Sequence, residues 1–246
     1  MLEVTTPSTP SPSSSPYAEW KGWDRFGSVT KASAQRFAAE LARAGVRPRS
    51  RILEIGFGSG EFLAWCRDSG HAVCGVDTDQ TFVDRAKDAG FNAFTSVATA
   101  YESFDGNDCL DAFVAFDVIE HMEPGEVRAL LASLSEFLKP GAKLILQFPN
   151  GSSPFVGHYF NGDLTHRTLF TRGSLEQLLI GTRMSLTGWH RPLAPAGGGS
   201  AGRAIDQGRR AAFASLRALS RTLYGADVDW WPVAVAVLSF NHAVAP

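Results

Sequence analysis

Glu54 stands inside an otherwise apolar run, Arg51-Ile-Leu-Glu-Ile-Gly-Phe-Gly-Ser-Gly60, two residues ahead of three glycines spaced GxGxG. A second acid, Asp77, closes the next apolar run 21 residues beyond Gly56. A third group, Asp117-Val-Ile-Glu-His121, follows a longer apolar run, and Asp163-Leu-Thr-His166 places a carboxylate and an imidazole three positions apart. Glycines at 56, 58 and 60 permit φ > 0 and close backbone approach. A turn of this kind suits an anion at the start of the next helix, but the Glu54 carboxylate would repel a pyrophosphate. It suits a ligand whose nearest part is cationic. Asp77, at about the 20-residue spacing of a ribose-binding acid, can accept two hydrogen bonds from a diol. The pattern asks for an adenosine-bearing ligand with a cationic end.

S-adenosylmethionine (SAM), with its sulfonium and amino group, is such a ligand. Methyl transfer from it is an in-line displacement, so the protein mainly aligns the acceptor and excludes water. A hydroxyl acceptor also needs a base. Of the six histidines, His71, His190 and His242 lie in or beside strands away from any motif, and the bland structural role is assigned to them. His121 follows the fourth apolar run; His158 and His166 lie on a later loop. The favoured base is His166, oriented by Asp163, with His121 second. Asp163, His166, His121 and Glu120 could instead partly ligate Mg²⁺ or another divalent ion that acidifies the hydroxyl; spacing does not favour this, and no metal is assigned.

The elements that must hold these groups alternate. Apolar runs and helical periodicity predict strands at about 51–56, 72–76, 91–95, 110–117, 143–148, 184–190 and 233–242. Helices are predicted at about 28–44, 59–69, 79–89, 124–138, 173–179 and 203–224. Leu110 to Asp117 is nearly continuous in apolar residues, as a strand buried on both faces should be. Residues 149–171 are rich in Gly, Pro, Asn and aromatics and read as a long acceptor-side loop, a kind that is commonly functional. Phe155, Tyr159, Phe160, Trp20 and Trp23 could stack on a sugar or pin that loop. Gly197–Gly202 reads as a flexible linker. The whole is a three-layer α/β domain over 17–246.

Composition narrows the function. A net charge of -2 and a pI near 6.3 argue against a nucleic-acid partner. No apolar run approaches bilayer length. Cys66, Cys74 and Cys109 have no metal-ligand spacing and read as buried thiols of a reducing, cytoplasmic protein. Met1–Pro16 holds four prolines and eight Ser or Thr, which reads as a disordered tail rather than a signal peptide. The predicted 203–224 helix carries Arg203, Arg209, Arg210, Arg217 and Arg221 against Asp206. It reads as a solvated basic face, with contact to the inner face of an anionic membrane, or to an acceptor bearing phosphates, as the sharper alternative.

The acid-GxGxG turn at 54–60, the acid at 77 and Asp117-Val-Ile-Glu-His121 together resemble the class I SAM-dependent methyltransferases over about 51–150. The resemblance implies a Rossmann-like seven-stranded sheet in the order 3-2-1-4-5-7-6 with the last strand antiparallel. It implies SAM as cofactor, held by Glu54, Gly56, Phe57, Gly58, Gly60, Asp77, Thr78, Ala98, Phe116 and Asp117. The stretch Thr95–Ser103 lacks the Asp that many members set against adenine N6, and Ala98, Thr99 and Tyr101 are the substitutes expected there. Asn161–Thr171, with Trp20-Lys-Gly-Trp23, resembles a narrower subgroup linked to polysaccharide assembly. That implies a sugar hydroxyl of a glycan, free or lipid-linked, as acceptor, with a quinone precursor or secondary metabolite as the alternative. A nicotinamide reductase is disfavoured by Glu54, by GxGxG and by the lack of a Tyr-x-x-x-Lys pair; a non-catalytic SAM-binding regulator is disfavoured by the Asp163–His166 loop. Oligomeric state is not legible.

Overall fold

The computed structural model describes residues 16–23, 25–103, 109–193, 199–225 and 228–241. The predicted tail, except Pro16, and His242 fall outside the described residues. In chain order the elements are α1 (Pro16–Lys21), α2 (Lys31–Ala44), β1 (Arg51–Ile55), α3 (Glu61–Asp68), β2 (Ala72–Val76), α4 (Gln80–Asp88), β3 (Asn92–Phe94), α5 (Val97–Glu102) and β4 (Leu110–Phe116). A 3-10 turn, Ile119–His121, leads into α6 (Pro124–Leu134), β5 (Leu138–Pro149), α7 (Gly157–Phe160), α8 (Arg172–Leu179), β6 (Met184–His190), α9 (Gly199–Tyr224) and β7 (Val233–Phe240).

The strands form one sheet in the order β3-β2-β1-β4-β5-β7-β6. β1, β2, β3, β4 and β5 pair in parallel, whereas β7 runs antiparallel to both β5 and β6. Both the order and the reversed last strand are as the resemblance implied. Successive residues feed opposite faces, as the strand period of two requires. Phe113, Ala115, Leu144, Leu146 and Phe148 enter one core with Leu131, Leu134 and Leu175. Ala112, Val114 and Ile145 enter the other, with Phe37, Phe62 and Trp65. Both layers are apolar and buried, and the strands' carboxyl ends are thereby fixed with respect to one another.

Two expectations are corrected, and one helix was not foreseen. α6 stops at Leu134, not Leu138, and Lys139-Pro140-Gly141 lies inside β5 rather than marking a helix end. Pairing jumps from Leu110↔Leu138 to Ala112↔Lys143, so these residues form a bulge, which tolerates Pro and a Gly at φ +81. Gly199 to Gly202 are the first turn of α9, not a linker; a glycine costs only about 1 kcal/mol in a helix, and cooperative extension from the Ala- and Arg-rich stretch offsets it. Finally, Val97–Glu102 is a helix, capped by Ser96 accepting from the Thr99 N–H, in a stretch too short for periodicity to register.

His190 has the structural role expected of it. Its Nε2 lies 2.9 Å from Glu40 Oε2 in the buried layer between α2 and β6, and Glu40 Oε1 also accepts from the Leu193 N–H. Glu40→Ala leaves the buried His190 ring and the half-buried Leu193 N–H without this partner. It should cost about 1–3 kcal/mol, read as a lower denaturant midpoint with an unchanged slope.

Candidate functional site

The predicted cofactor residues gather at the carboxyl ends of β1, β2 and β4, where open α/β sheets take their ligands. Gly56, Gly58 and Gly60 all have left-handed φ of 62, 46 and 70°. Packing makes a second demand on them. A Cβ at Gly56 would meet Val118 Cγ2 at 2.4 Å, one at Gly58 the Trp23 ring at 2.6 Å, and one at Gly60 the Phe26 ring at 2.1 Å. The segment after α1 therefore lies on the glycine turn, tied by the Gly27 N–H donating to Ser59 O at 2.7 Å. Trp23 packs edge-on to Phe82, so its indole pins the chain. Trp20, by contrast, is exposed, with the Lys21 ammonium over its ring.

Asp77 holds the same turn from beneath. Its Oδ2 accepts the Gly58 N–H at 2.9 Å and its Oδ1 the Asp79 N–H at 3.0 Å. A carboxylate has about four acceptor positions, so two remain for a ribose diol. Burial pushes the Asp77 pKa up, against those two N–H groups. Glu54 is 4% exposed, and its Oε2 has no hydrogen-bond partner. Burial, then the neighbouring Asp77 charge, raises its pKa well above the ordinary value. A buried acid left with an orphan oxygen is costly unless something completes it, and the cationic end of SAM is a group that would. Thr78 and Ala98 are exposed past the ends of β2 and β3. The residues present fit the cofactor.

Two predicted cofactor residues turn elsewhere. The Phe57 ring is buried in the cluster with Leu63, Phe82 and Phe91, so Phe57 can offer the ligand only its backbone. Phe116 stacks on Phe37 and meets Phe62 edge-on, with the Arg36 guanidinium over its ring; it is chiefly core. Tyr101, offered as an adenine contact, stacks on Phe137 at 3.7 Å and faces the interior.

Asp117 ends β4 with φ 56°, an unusual backbone for a non-glycine residue and one that recurs at functional sites. Its Oδ2 accepts from Gln147 Nε2 at 2.9 Å, and Gln147 Oε1 accepts from Arg36 Nη1 at 3.1 Å. Asp117 is open to solvent yet crowded by protein; that crowding raises its pKa, opposed by Gln147 and Arg36.

Beyond Asp117 the 3-10 turn and the 149–171 loop bring four groups together. The Glu120 backbone carbonyl accepts both the Arg167 and Thr168 N–H groups, tying turn to loop. The Glu120 side chain is 1% exposed, neither oxygen has a hydrogen-bond partner, and burial with the Asp117 charge raises its pKa well above normal. His121 and His166 lie with ring centroids 4.7 Å apart. His166 Nδ1 is 2.8 Å from the Phe160 carbonyl, and its Nε2 faces Glu120 Oε1 at 3.9 Å.

The orienting role of Asp163 differs from the one expected. Its carboxylate reaches His121 through Thr165: the Thr165 hydroxyl donates to Asp163 Oδ1 and lies 2.8 Å from His121 Nδ1. Burial would raise the Asp163 pKa, but the Thr165 hydroxyl and N–H, with the Lys21 ammonium at 3.5 Å, outweigh it and bring it down to about 2. An acceptor-only carboxylate takes the hydroxyl proton, so the hydroxyl accepts from His121 Nδ1–H and Nε2 keeps its lone pair. Burial, then His166, holds the His121 pKa below the usual imidazole value. Sequence reasoning did not single out Thr165, Gln147, Arg36 or Lys21. Gln147 was the one with a signal, a polar residue at the end of an apolar strand.

A methyltransferase domain family matches residues 2–182 of this sequence. The chain belongs to that family. SAM is the methyl donor. Among curated proteins, a ubiquinone biosynthesis O-methyltransferase from Bradyrhizobium diazoefficiens is 26% identical over 129 residues, covering 51% of this chain and 50% of the relative. The chain thus aligns with about half the length of that relative. Among solved structures, a SAM-dependent methyltransferase from Archaeoglobus fulgidus matches with a TM-score of 0.57 at 21% identity, over 84% of this chain and 94% of the other. The 1,6-didemethyltoxoflavin-N1-methyltransferase of Burkholderia thailandensis matches with a TM-score of 0.53 at 17% identity, over 86% and 80%. At those identities the structural likeness establishes the fold alone.

Proposed function

We propose that this methyltransferase acts on oxygen, transferring the SAM methyl to a hydroxyl of a small-molecule acceptor. The observation that carries this is the Asp163–Thr165–His121 relay beside His166 and Glu120, because an alcohol or phenol must lose a proton as its oxygen attacks. The sulfonium S–C bond breaks as the O–C bond forms, S-adenosylhomocysteine leaves, and the acceptor's proton is given up at the His121–His166 cluster. Glu54 would face the cationic end of the donor and Asp77 the ribose. The O-methyltransferase that aligns with half of this chain supports oxygen over nitrogen as acceptor.

A sugar acceptor is the second reading, favoured by Phe155 and Tyr159, which stand 57% and 49% exposed on the acceptor-side loop and could stack on a pyranose face. No described helix is long and apolar enough to cross a membrane. Exposed Ile205, Leu219, Leu223 and Tyr224 on α9 leave peripheral contact as part of the lipid-linked version of this reading. The test is S-adenosylhomocysteine release with a panel of catechols and hydroxybenzoates, sugar nucleotides and amines. Turnover is expected with the phenols. Turnover confined to sugars selects the second reading, and turnover confined to amines overturns oxygen transfer.

A further inference from the structure

Among the described residues, Glu120, His121 and His166 place a carboxylate oxygen and one nitrogen from each ring within 4.8 Å of one another. We propose that these three side chains bind a divalent first-row transition ion, of the Mn²⁺ to Zn²⁺ series, with open coordination positions facing the acceptor.

Three observations carry this. The first is Glu120, whose carboxylate is 1% exposed with both oxygens unpartnered. Such an acid, with no hydrogen bond and the His166 Nε2 only as near as 3.9 Å, is incompletely compensated, and a cation is a counter-group that two adjacent imidazoles can help to hold. The second is the outer shell. A metal-ligating histidine almost always directs its other ring N–H to a carbonyl or carboxylate, which fixes the tautomer. Here His166 Nδ1 is held by the Phe160 carbonyl and His121 Nδ1 by Thr165, itself anchored on Asp163. Both outward nitrogens are the Nε2 atoms. The third is the backbone: Glu120 and His121 share one 3-10 turn, and the turn is fastened to the His166 loop through the Glu120 carbonyl.

Two imidazoles and one carboxylate are a borderline donor set, suited to Zn²⁺, Fe²⁺ or Mn²⁺ rather than to Mg²⁺, which prefers oxygen ligands and retained water. Three protein ligands leave positions open, as at catalytic rather than structural sites. Bonds of about 2.0–2.2 Å require the donors to draw in from their present spacing. An ion here would bind the acceptor oxygen and acidify its hydroxyl; with both Nε2 lone pairs on the ion, the proton would pass to water rather than to His121 or His166, and the two imidazoles would serve oxygen transfer by holding the ion. That consequence rests on the oxygen-transfer reading; binding of the ion does not.

The experiment is a titration of the chelator-treated full-length protein with Co²⁺, followed by its visible absorption, and with Zn²⁺ in competition, beside a separate SAM titration. One ion per chain is expected. Glu120→Gln, His166→Ala and Thr165→Val should each weaken it, Thr165→Val by about 10–100-fold as an outer-shell loss, while His158→Ala leaves it unchanged. SAM affinity should survive in all four, which shows that the variants fold. No stoichiometric ion uptake by the wild-type chain, or uptake indifferent to Glu120→Gln and His166→Ala, overturns the site. Either result leaves oxygen transfer to be judged by the acceptor panel.

Discussion

Replacing His121 by alanine should lower kcat by about 10²–10⁴-fold, the range that a positioned proton-transfer group supplies, with no change in SAM affinity. His121 is the member of the acceptor cluster whose orientation is most completely determined. Its Nδ1 is fixed by the Thr165 hydroxyl, that hydroxyl is fixed by Asp163, and Asp163 stays ionised because its pKa lies at about 2. The chain of donors runs one way, so the lone pair is on Nε2. Burial keeps the ring neutral, the form that can take a proton or hold an ion. Glu54 and Asp77, proposed to meet the cofactor, are on β1 and just past β2, away from the 3-10 turn and loop that carry the cluster. Binding and turnover should therefore separate. Thr165→Val should give a smaller loss of the same kind, since the imidazole remains but its tautomer is no longer imposed. Undiminished turnover in His121→Ala, measured as S-adenosylhomocysteine release at saturating SAM, would remove the cluster from the reaction.

The residues proposed for the cofactor were legible because Glu54 and Asp77 sit at or near strand ends and are announced by apolar runs. Glu54 breaks the apolar pattern of β1, Asp77 ends that of β2, and the glycines between them have few other uses. The strand order followed from the resemblance, since nothing in the periodicity of Val233–Phe240 says which neighbour it joins or in which direction. The acceptor half was harder to read. Asp163 and His166 are three apart, which suggests a direct pair, yet the loop between β5 and α8 is only briefly helical and spacing on it does not set side-chain direction. The residue that joins Asp163 to a ring is Thr165, and the ring is His121, 44 positions earlier. Likewise Trp23 and Phe26 read as aromatics near a terminus; that they close on Gly58 and Gly60 is a long-range contact with no local signature. Helix ends erred where glycine and proline have two meanings, as in Lys139-Pro140-Gly141, which a bulge accommodates as well as a stop.

Glu54→Gln should make the free protein more stable and its SAM complex weaker. In the free protein the Glu54 carboxylate is buried, its Oε2 is unpartnered, and burial with the charges of Asp77 and Glu61 raises its pKa, only partly opposed by Arg36. The folded state then binds a proton more tightly than the unfolded chain does. Its contribution is fully present below the ordinary glutamate pKa and is lost as pH rises through the raised folded value. The same sign holds for Glu120, Asp77 and Asp117. The opposite sign holds for Asp163 and Asp111, which act in the acid range, and for His71 and His121, whose effect is complete once pH passes the ordinary imidazole value. The cofactor-free protein should therefore melt lower as pH rises from neutral toward alkaline. A neutral isostere at 54 removes one source of that slope. The variant should therefore melt higher than wild type at alkaline pH, with the gap narrowing on acidification. With SAM the order reverses. The carboxylate gains its cationic partner, and a hydrogen bond to a charged group is worth about 1.5–3 kcal/mol, so the variant should bind SAM about 10–100-fold more weakly. Calorimetric melting across pH and a SAM titration at one pH measure the two arms independently. Unaltered SAM affinity in Glu54→Gln would mean that the acid in β1 serves the turn alone and that the cationic end of the cofactor is met elsewhere.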